Sequence, residues 1–204
     1  MNLLESLTPD LMNNRALAWE HPPLNWGAIP EGGIRVHAPA RADYFIDPGG
    51  AYVKDEAPYL YKNVGGNFVA RALIRPTFAT TFDSGVLMLR HDSRHWAKLC
   101  FEKTDFGTTA AVSVVTNGVS DDANGVDVHV EQLWLQACRV GDAFSFQYSL
   151  DGASWRMVRT FTIPVPRTIK VGIVAQSPIG PGTPIDFLYF SIEPRTVDSL
   201  RAGV

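Results

Sequence analysis

Ser84-Gly85-Val86-Leu87-Met88-Leu89-Arg90-His91 and His95-Trp96-Ala97-Lys98-Leu99-Cys100-Phe101-Glu102 are two apolar runs of strand length separated only by Asp92-Ser93-Arg94. Polar residues punctuate both runs, which argues for a β-hairpin. A three-residue loop pairs His91 with His95 and Arg90 with Trp96. Successive strand residues point to opposite faces, so Leu87, Leu89, Leu99 and Phe101 share one side and form core. Met88, Arg90, Trp96, Lys98 and Glu102 share the other. A register shift of one residue would invert one strand relative to its partner, so the loop length is decisive.

Outward from this hairpin the same grammar repeats. Short runs rich in Val, Ile, Leu and aromatics, separated by Gly, Pro, Asn and Asp, predict strands near 34–38, 59–62, 67–75, 111–116, 133–140, 144–150, 156–162, 170–175 and 186–192, besides 85–91 and 95–102. The Asp151-Gly152 pair supplies the positive backbone angles of a tight hairpin. Pro164 and Pro166 cannot donate ladder hydrogen bonds and mark a break before the strand starting near Lys170. Residues 178–184 and 117–127 read as loops, the second carrying Asp121, Asp122 and Asp127. The helix signal is poor and there is no internal repeat, so the fold class is all-β, a sandwich or barrel.

The 204 residues, 46% of them hydrophobic, suffice for one sizeable core. The reading is a single domain over 1–204, with 1–18 an N-terminal extension and 195–204 a C-terminal tail. A net charge of -3 with 18 scattered Lys and Arg offers no stripe to neutralise a row of phosphates, which excludes nucleic acid as a partner. No basic region followed by an apolar stretch opens the chain, and no uncharged run approaches the roughly 20 apolar residues needed to cross a bilayer. The expectation is a soluble, cytoplasmic protein without membrane contact. Cys100 and Cys138 both fall inside predicted strands and read as two buried thiols; their proximity is open.

Several elements carry a family resemblance: Trp19, Pro22, Pro23 and Trp26; Asp43-Tyr44-Phe45; Tyr59-Leu60-Tyr61 with Gly66-Asn67-Phe68; the 84–102 hairpin; Val114-Val115-Thr116 with Ser120-Asp121; Trp134-Leu135 through Arg139; Tyr148-Ser149-Leu150-Asp151-Gly152 with Trp155; Val171-Gly172, Ser177-Pro178 and Phe187. In this order, across about 170 residues, they resemble the DUF1349 family of bacteria and fungi. One departure is Asp122, where that family commonly has Trp. The resemblance implies a concanavalin A-like jelly roll of two curved antiparallel sheets, whose concave face often receives sugars, and part of the family is labelled with regulation of enolase.

The ionic face of the hairpin is then the candidate site. Arg90, Trp96, Lys98 and Glu102, joined by Gln176, are the candidate ligand-binding residues. Ordinary solvated alternation is the competing reading. Trp96 reads either as a stacking platform or as a cover for Lys98. Trp134 and Trp155 read as packing residues, and Gln136, Gln147 and Gln176 as either groove-lining or solvent-facing. Lys98 and Glu102 lie four residues apart on one strand, about 13 Å by the strand rise, so any partner comes from a neighbouring element.

Glu102 and Asp83 are weak candidates for a catalytic carboxyl pair. No Gly-x-Ser-x-Gly elbow, phosphate-cradling loop or dinucleotide glycine pattern occurs. His91 and His95 lack a third ligand at suitable spacing, and the Asp121, Asp122 and Asp127 group reads as a solvated loop rather than a calcium site, so neither metal nor cofactor is expected. The leading functional expectation is a non-catalytic module for a carbohydrate or other small polar ligand. Two alternatives stand beside it: a sugar-active hydrolase or isomerase using Glu102 as acid or base, and a regulatory interaction domain linked to carbohydrate metabolism. A monomer and a homodimer are both open.

Overall fold

Ser84–Arg90 pairs antiparallel with His95–Lys103, with Arg90 opposite Trp96, and the His91 N–H donates to His95 O at 3.0 Å. The register is the one a three-residue loop dictates. This computed structural model describes all residues 1–204. Its strands are β1 (Ala18–Glu20), β2 (Trp26–Ala28), β3 (Ile34–Pro39), β4 (Asp43–Ile46), β5 (Val53–Glu56), β6 (Tyr59–Gly65), β7 (Phe68–Pro76) and β8 (Ser84–Arg90). They continue as β9 (His95–Lys103), β10 (Thr109–Asn117), β11 (Val119–Ala123), β12 (Leu133–Val140), β13 (Ala143–Ser149), β14 (Arg156–Thr162), β15 (Thr168–Gln176) and β16 (Gly182–Glu193).

Two seven-stranded antiparallel sheets stack face to face. The front sheet has the order β1-β6-β15-β8-β9-β10-β11, the back sheet β14-β13-β12-β7-β16-β3-β2, and β4-β5 form a separate hairpin. Leu87, Leu89, Leu99 and Phe101 project between the sheets and meet Ala70, Ala72, Ile74 and Leu135 of the back sheet in one core. Period-two alternation alone accounts for this packing.

Five short strands escape the sequence pattern: β1, β2, β4, β5 and β11. Each has only three to five residues, too short for a period-two pattern to stand out. The 117–127 segment is therefore only partly loop, since Val119–Ala123 pairs along β10 with Asp122 opposite Val114.

A helix, α1 (Pro9–Asn14), also forms, with Thr8 as its cap accepting from Leu11 N and Pro9 in its first turn. Residues 1–18 are knitted into the sandwich, because Leu4, Leu7 and Leu17 are core residues and Asn2 Oδ1 accepts from Phe190 N at 3.1 Å. The 195–204 tail likewise lies on the back sheet, where Gln136 Nε2 donates to Gly203 O at 3.0 Å and Gln147 Nε2 to Leu200 O at 2.6 Å. Both thiols are free and buried, Cys100 on the front sheet and Cys138 on the back.

One glycine records how closely the sheets approach. A Cβ on Gly85 would sit 2.1 Å from Ile74 Cγ2 and 2.8 Å from Ile185 Cγ2. Gly85→Ala overpacks the core and is expected to cost about 1–3 kcal/mol in urea unfolding, with no loss expected if the sheets can separate freely.

Candidate functional site

The outer face of the front sheet, where solvated charges were one reading, is not open to water. Arg90 is 5% exposed, Trp96 1%, Lys98 3% and Glu102 8%. The cover is the β4-β5 hairpin, whose own alternation sorts what lies beneath it. Tyr44 pairs with Asp55 and Phe45 with Lys54. Tyr44 and Asp55 therefore project to one side of the hairpin, while Asp43, Phe45 and Lys54 project to the other.

On the Tyr44 side, the face is closed. The Arg90 guanidinium lies 5.0 Å from the Tyr44 ring centroid, Nη1 is 2.8 Å from Asp55 Oδ1, and Nε is 3.1 Å from Glu20 Oε1. Lys170 joins the cluster through Glu20. Trp96 packs edge-on to Tyr44 at 6.4 Å and donates its indole N–H to Ser93 O at 3.3 Å. Neither Arg90 nor Trp96 borders the open cleft, so the hairpin face expected from sequence is divided in two.

On the Asp43 side, a cleft of about 380 Å³ opens, bordered by Asp43, Phe45, Tyr52, Lys54, Phe82, Lys98, Glu102, Asp122 and Gln176 among others. Lys98 anchors its floor. Its Nζ donates to Asp43 Oδ1 at 3.0 Å, Tyr44 O at 2.7 Å and Gln176 Oε1 at 3.4 Å, which uses all the hydrogens an ammonium has. Gln176 closes the triangle by donating Nε2 to Asp43 Oδ1 at 2.8 Å. The cation is thus committed to holding the hairpin and not presented to a ligand.

Glu102 is the opposite case. Its carboxyl borders the cleft and makes no hydrogen bond within the protein, although the residue is only 8% exposed. Burial pushes Glu102 up to about 8, opposed by Lys98 and reinforced by Asp122 and Asp43. Burial thus favours its neutral form, which can donate as well as accept. Burial alone would drive the proton off Lys98, but Asp43, through its charge and its hydrogen bond, together with Cys100 and Glu102, outweighs that and raises it. Asp122, at the rim on β11, is raised by burial, with Lys98 opposing. Phe45 and Tyr52 stack along one wall, with ring centroids 5.8 Å apart at 26°.

The remaining sequence candidates fall elsewhere. Asp83 is fully buried and committed, accepting from Ser177 Oγ at 2.7 Å and Thr80 N at 2.7 Å. It clamps a loop and is not free to act with Glu102. Gln136 and Gln147 belong to the back sheet under the C-terminal tail. Trp134 and Trp155 do pack, but on the outer face of that sheet, against Tyr189 and the Arg71 guanidinium. His95 Nδ1 lies 2.9 Å from Asp92 Oδ1 within the hairpin loop. No group of three or more His, Cys, Asp and Glu side chains is placed to hold a metal ion, and no helix is long and apolar enough to cross a membrane.

Sequence reasoning missed Asp43, Asp122 and the aromatic wall as site residues. Asp43-Tyr44-Phe45 was visible as a family signature without a role. Asp122 was visible as the departure from that signature, but its reach into the cleft depends on the pairing of β11 with β10.

A two-sheet antiparallel sandwich with a polar, aromatic-walled cleft on the outer face of one sheet is the class that fold and site define. Residues 19–195 match the family described as "Protein of unknown function (DUF1349)", and the chain belongs to that family. "Regulation of enolase protein 1" of Saccharomyces cerevisiae is 25% identical over 162 residues, 79% of this chain and 81% of that protein. A crystal structure of a functionally unknown protein from Saccharomyces cerevisiae superposes with a TM-score of 0.81 at 23% identity, covering 87% of this chain and 96% of that one.

Two further structures share the fold at lower identity. The GH43 BlXynB protein from Bacillus licheniformis matches with a TM-score of 0.71 at 14% identity, over 87% of this chain but 36% of its own. The carbohydrate binding module CBM66 from Bacillus subtilis matches with a TM-score of 0.57 at 13% identity, over 86% of this chain and 94% of its own.

Two outcomes test the electrostatics. Asp43→Ala strands the buried Lys98 charge and is expected to lower stability by roughly 3–5 kcal/mol in urea unfolding; a loss under about 1 kcal/mol would show that Lys98 is not held by this pair. Glu102 binds its proton up to about pH 8 when folded but only to the ordinary 4.5 when unfolded. Its stabilising contribution is thus full below that lower value and is lost as pH rises through the upper one. Stability should fall between about pH 5 and pH 8 by on the order of 1 kcal/mol per pH unit, and Glu102→Gln should flatten that decline. Parallel profiles for parent and variant would contradict a protonated Glu102.

Proposed function

We propose that the protein binds a carbohydrate or similar polyhydroxylated ligand, without necessarily transforming it, in the cleft between the β4-β5 hairpin and the front sheet. The observation that carries this reading is the pairing of an unpartnered, buried carboxyl, Glu102, with the stacked Phe45 and Tyr52 rings across a cleft of about 380 Å³. That volume lies within the usual range of small-molecule sites, about 300–1,000 Å³. Sugar rings offer an apolar face for aromatic stacking and hydroxyl edges for carboxyl groups, and the cleft supplies both partners. Resemblance to a carbohydrate binding module in fold is consistent with this use of a sandwich face.

The catalytic alternative keeps one supporting observation, since a neutral Glu102 is in the state a general acid requires. It lacks the partner expected from sequence, because Asp83 is engaged by Ser177 and Thr80. An activity screen on glycosides in which Glu102→Gln equals the parent removes this reading.

Isothermal titration against a panel of mono- and disaccharides tests binding directly. Tyr52 is 49% exposed, so Tyr52→Ala should fold normally. It is expected to weaken the best ligand roughly tenfold through the lost stacking. No heat from any member of the panel, or an unaltered affinity in Tyr52→Ala, would sink the proposal.

A further inference from the structure

Resting on that reading of the cleft, we propose that its ligand carries a protonated amine seated on Glu102, so that the site selects an amino-bearing polyol over neutral and acidic ones.

Several polar groups of the cleft are already spent. Lys98 would be the obvious receptor for an acidic ligand, but its ammonium is saturated by Asp43, Tyr44 O and Gln176. The Asp43 Oδ1 atom is used by the same network and by the Tyr44 N–H at 2.8 Å. What remains without a protein partner at the floor is the Glu102 carboxyl; Asp122, opposite Val114 on β11, is held only by the Ala123 backbone N–H, and the Lys54 ammonium stands on the opposite wall. Glu102 is more than nine-tenths buried and borders the cleft with no protein partner, so its hydrogen-bonding capacity is directed at whatever enters.

The charges acting on that carboxyl are unbalanced. Lys98 opposes, while Asp122, Asp43 and Asp105 all add negative potential. Lys54 is the other cation on the cleft wall, but it stands on the hairpin opposite Phe45 and is not among the groups that dominate the field at Glu102. When an ammonium arrives beside Glu102 the carboxyl releases its proton to solvent through the open cleft, and the resulting carboxylate gives the ammonium a charge-assisted hydrogen bond, roughly twice as strong as a neutral one. A carboxylate arriving there adds to the negative potential of Asp122 and Asp43, and the Lys98 ammonium that could offset it has no hydrogen left to donate. The stacked Phe45 and Tyr52 rings add a π face, which favours a cation over an anion at the same rim.

Four monosaccharides separate the outcomes: glucosamine, glucose, N-acetylglucosamine and glucuronate, each titrated into the full chain and followed by NMR shifts of cleft residues at a pH where the glucosamine amine is protonated. Glucosamine should bind about tenfold tighter than glucose or N-acetylglucosamine, with glucuronate weakest. Glu102→Gln should bring the glucosamine-to-glucose ratio close to one, and Asp122→Asn should reduce it by a smaller factor while leaving the cleft floor intact. Glucose or N-acetylglucosamine binding as tightly as glucosamine overturns the amine inference and leaves the carbohydrate reading standing. Shifts from none of the four, in the cleft or elsewhere, overturn both.

Discussion

The contact between Lys98 and Asp43 organises everything on the outer face of the front sheet. Moving two opposite charges out of water is costly, and the attraction between them offsets that cost only when the remaining hydrogen-bonding positions are filled. Here Tyr44 O and Gln176 fill them, and Gln176 reaches back to the same Asp43 oxygen. The network joins β4, β9 and β15, elements far apart in sequence. It fixes where the hairpin stands on the sheet, and the hairpin's position creates the cleft.

That position also explains why similar side chains, neighbours on one strand face, meet different fates. Trp96 and Lys98 leave the sheet in the same direction, as does Arg90 opposite Trp96. The hairpin comes down between them. Its Tyr44 and Asp55 face takes Arg90 and Trp96 into a closed apolar and ionic packing with Met88 and Tyr59, while its Asp43 and Phe45 face leaves Glu102 bordering open space. The Tyr44 hydroxyl donates to Ala57 O at 3.1 Å, and the Ile46 N–H donates to Ser120 Oγ at 2.9 Å, so the hairpin is tied at both flanks rather than draped. A second small core therefore sits outside the main one, and the cleft is the part of the face that this second core does not fill.

The contrast between Lys98 and Glu102 carries the chemistry of the site. Both are buried, both lie on β9, and one has every polar hydrogen satisfied while the other has no partner. A buried polar group without a partner is a destabilising feature unless something else uses it. Protonation relieves Glu102 of its charge but leaves its hydrogen-bonding capacity unused. Glu102 is the buried unpartnered group that borders the aromatic-walled cleft.

The sequence by itself determined the hairpin, its loop length, the side each residue takes and the all-β class, because strand alternation is a local rule that needs no knowledge of neighbours; the two-sheet architecture came from the family resemblance. It also brought Lys98, Glu102 and Gln176 forward as polar residues on one face. Only the tertiary structure decided which of those groups were spent and which were free, since that depended on a strand of only four residues, Asp43–Ile46, landing across β9. Asp83 reads as a free carboxylate until Ser177 and Thr80 approach it, and Asp122 reads as loop until β11 pairs with β10. Short-range pattern sets the direction of a side chain; burial, ion pairing and protonation are set by what arrives opposite it from elsewhere in the chain.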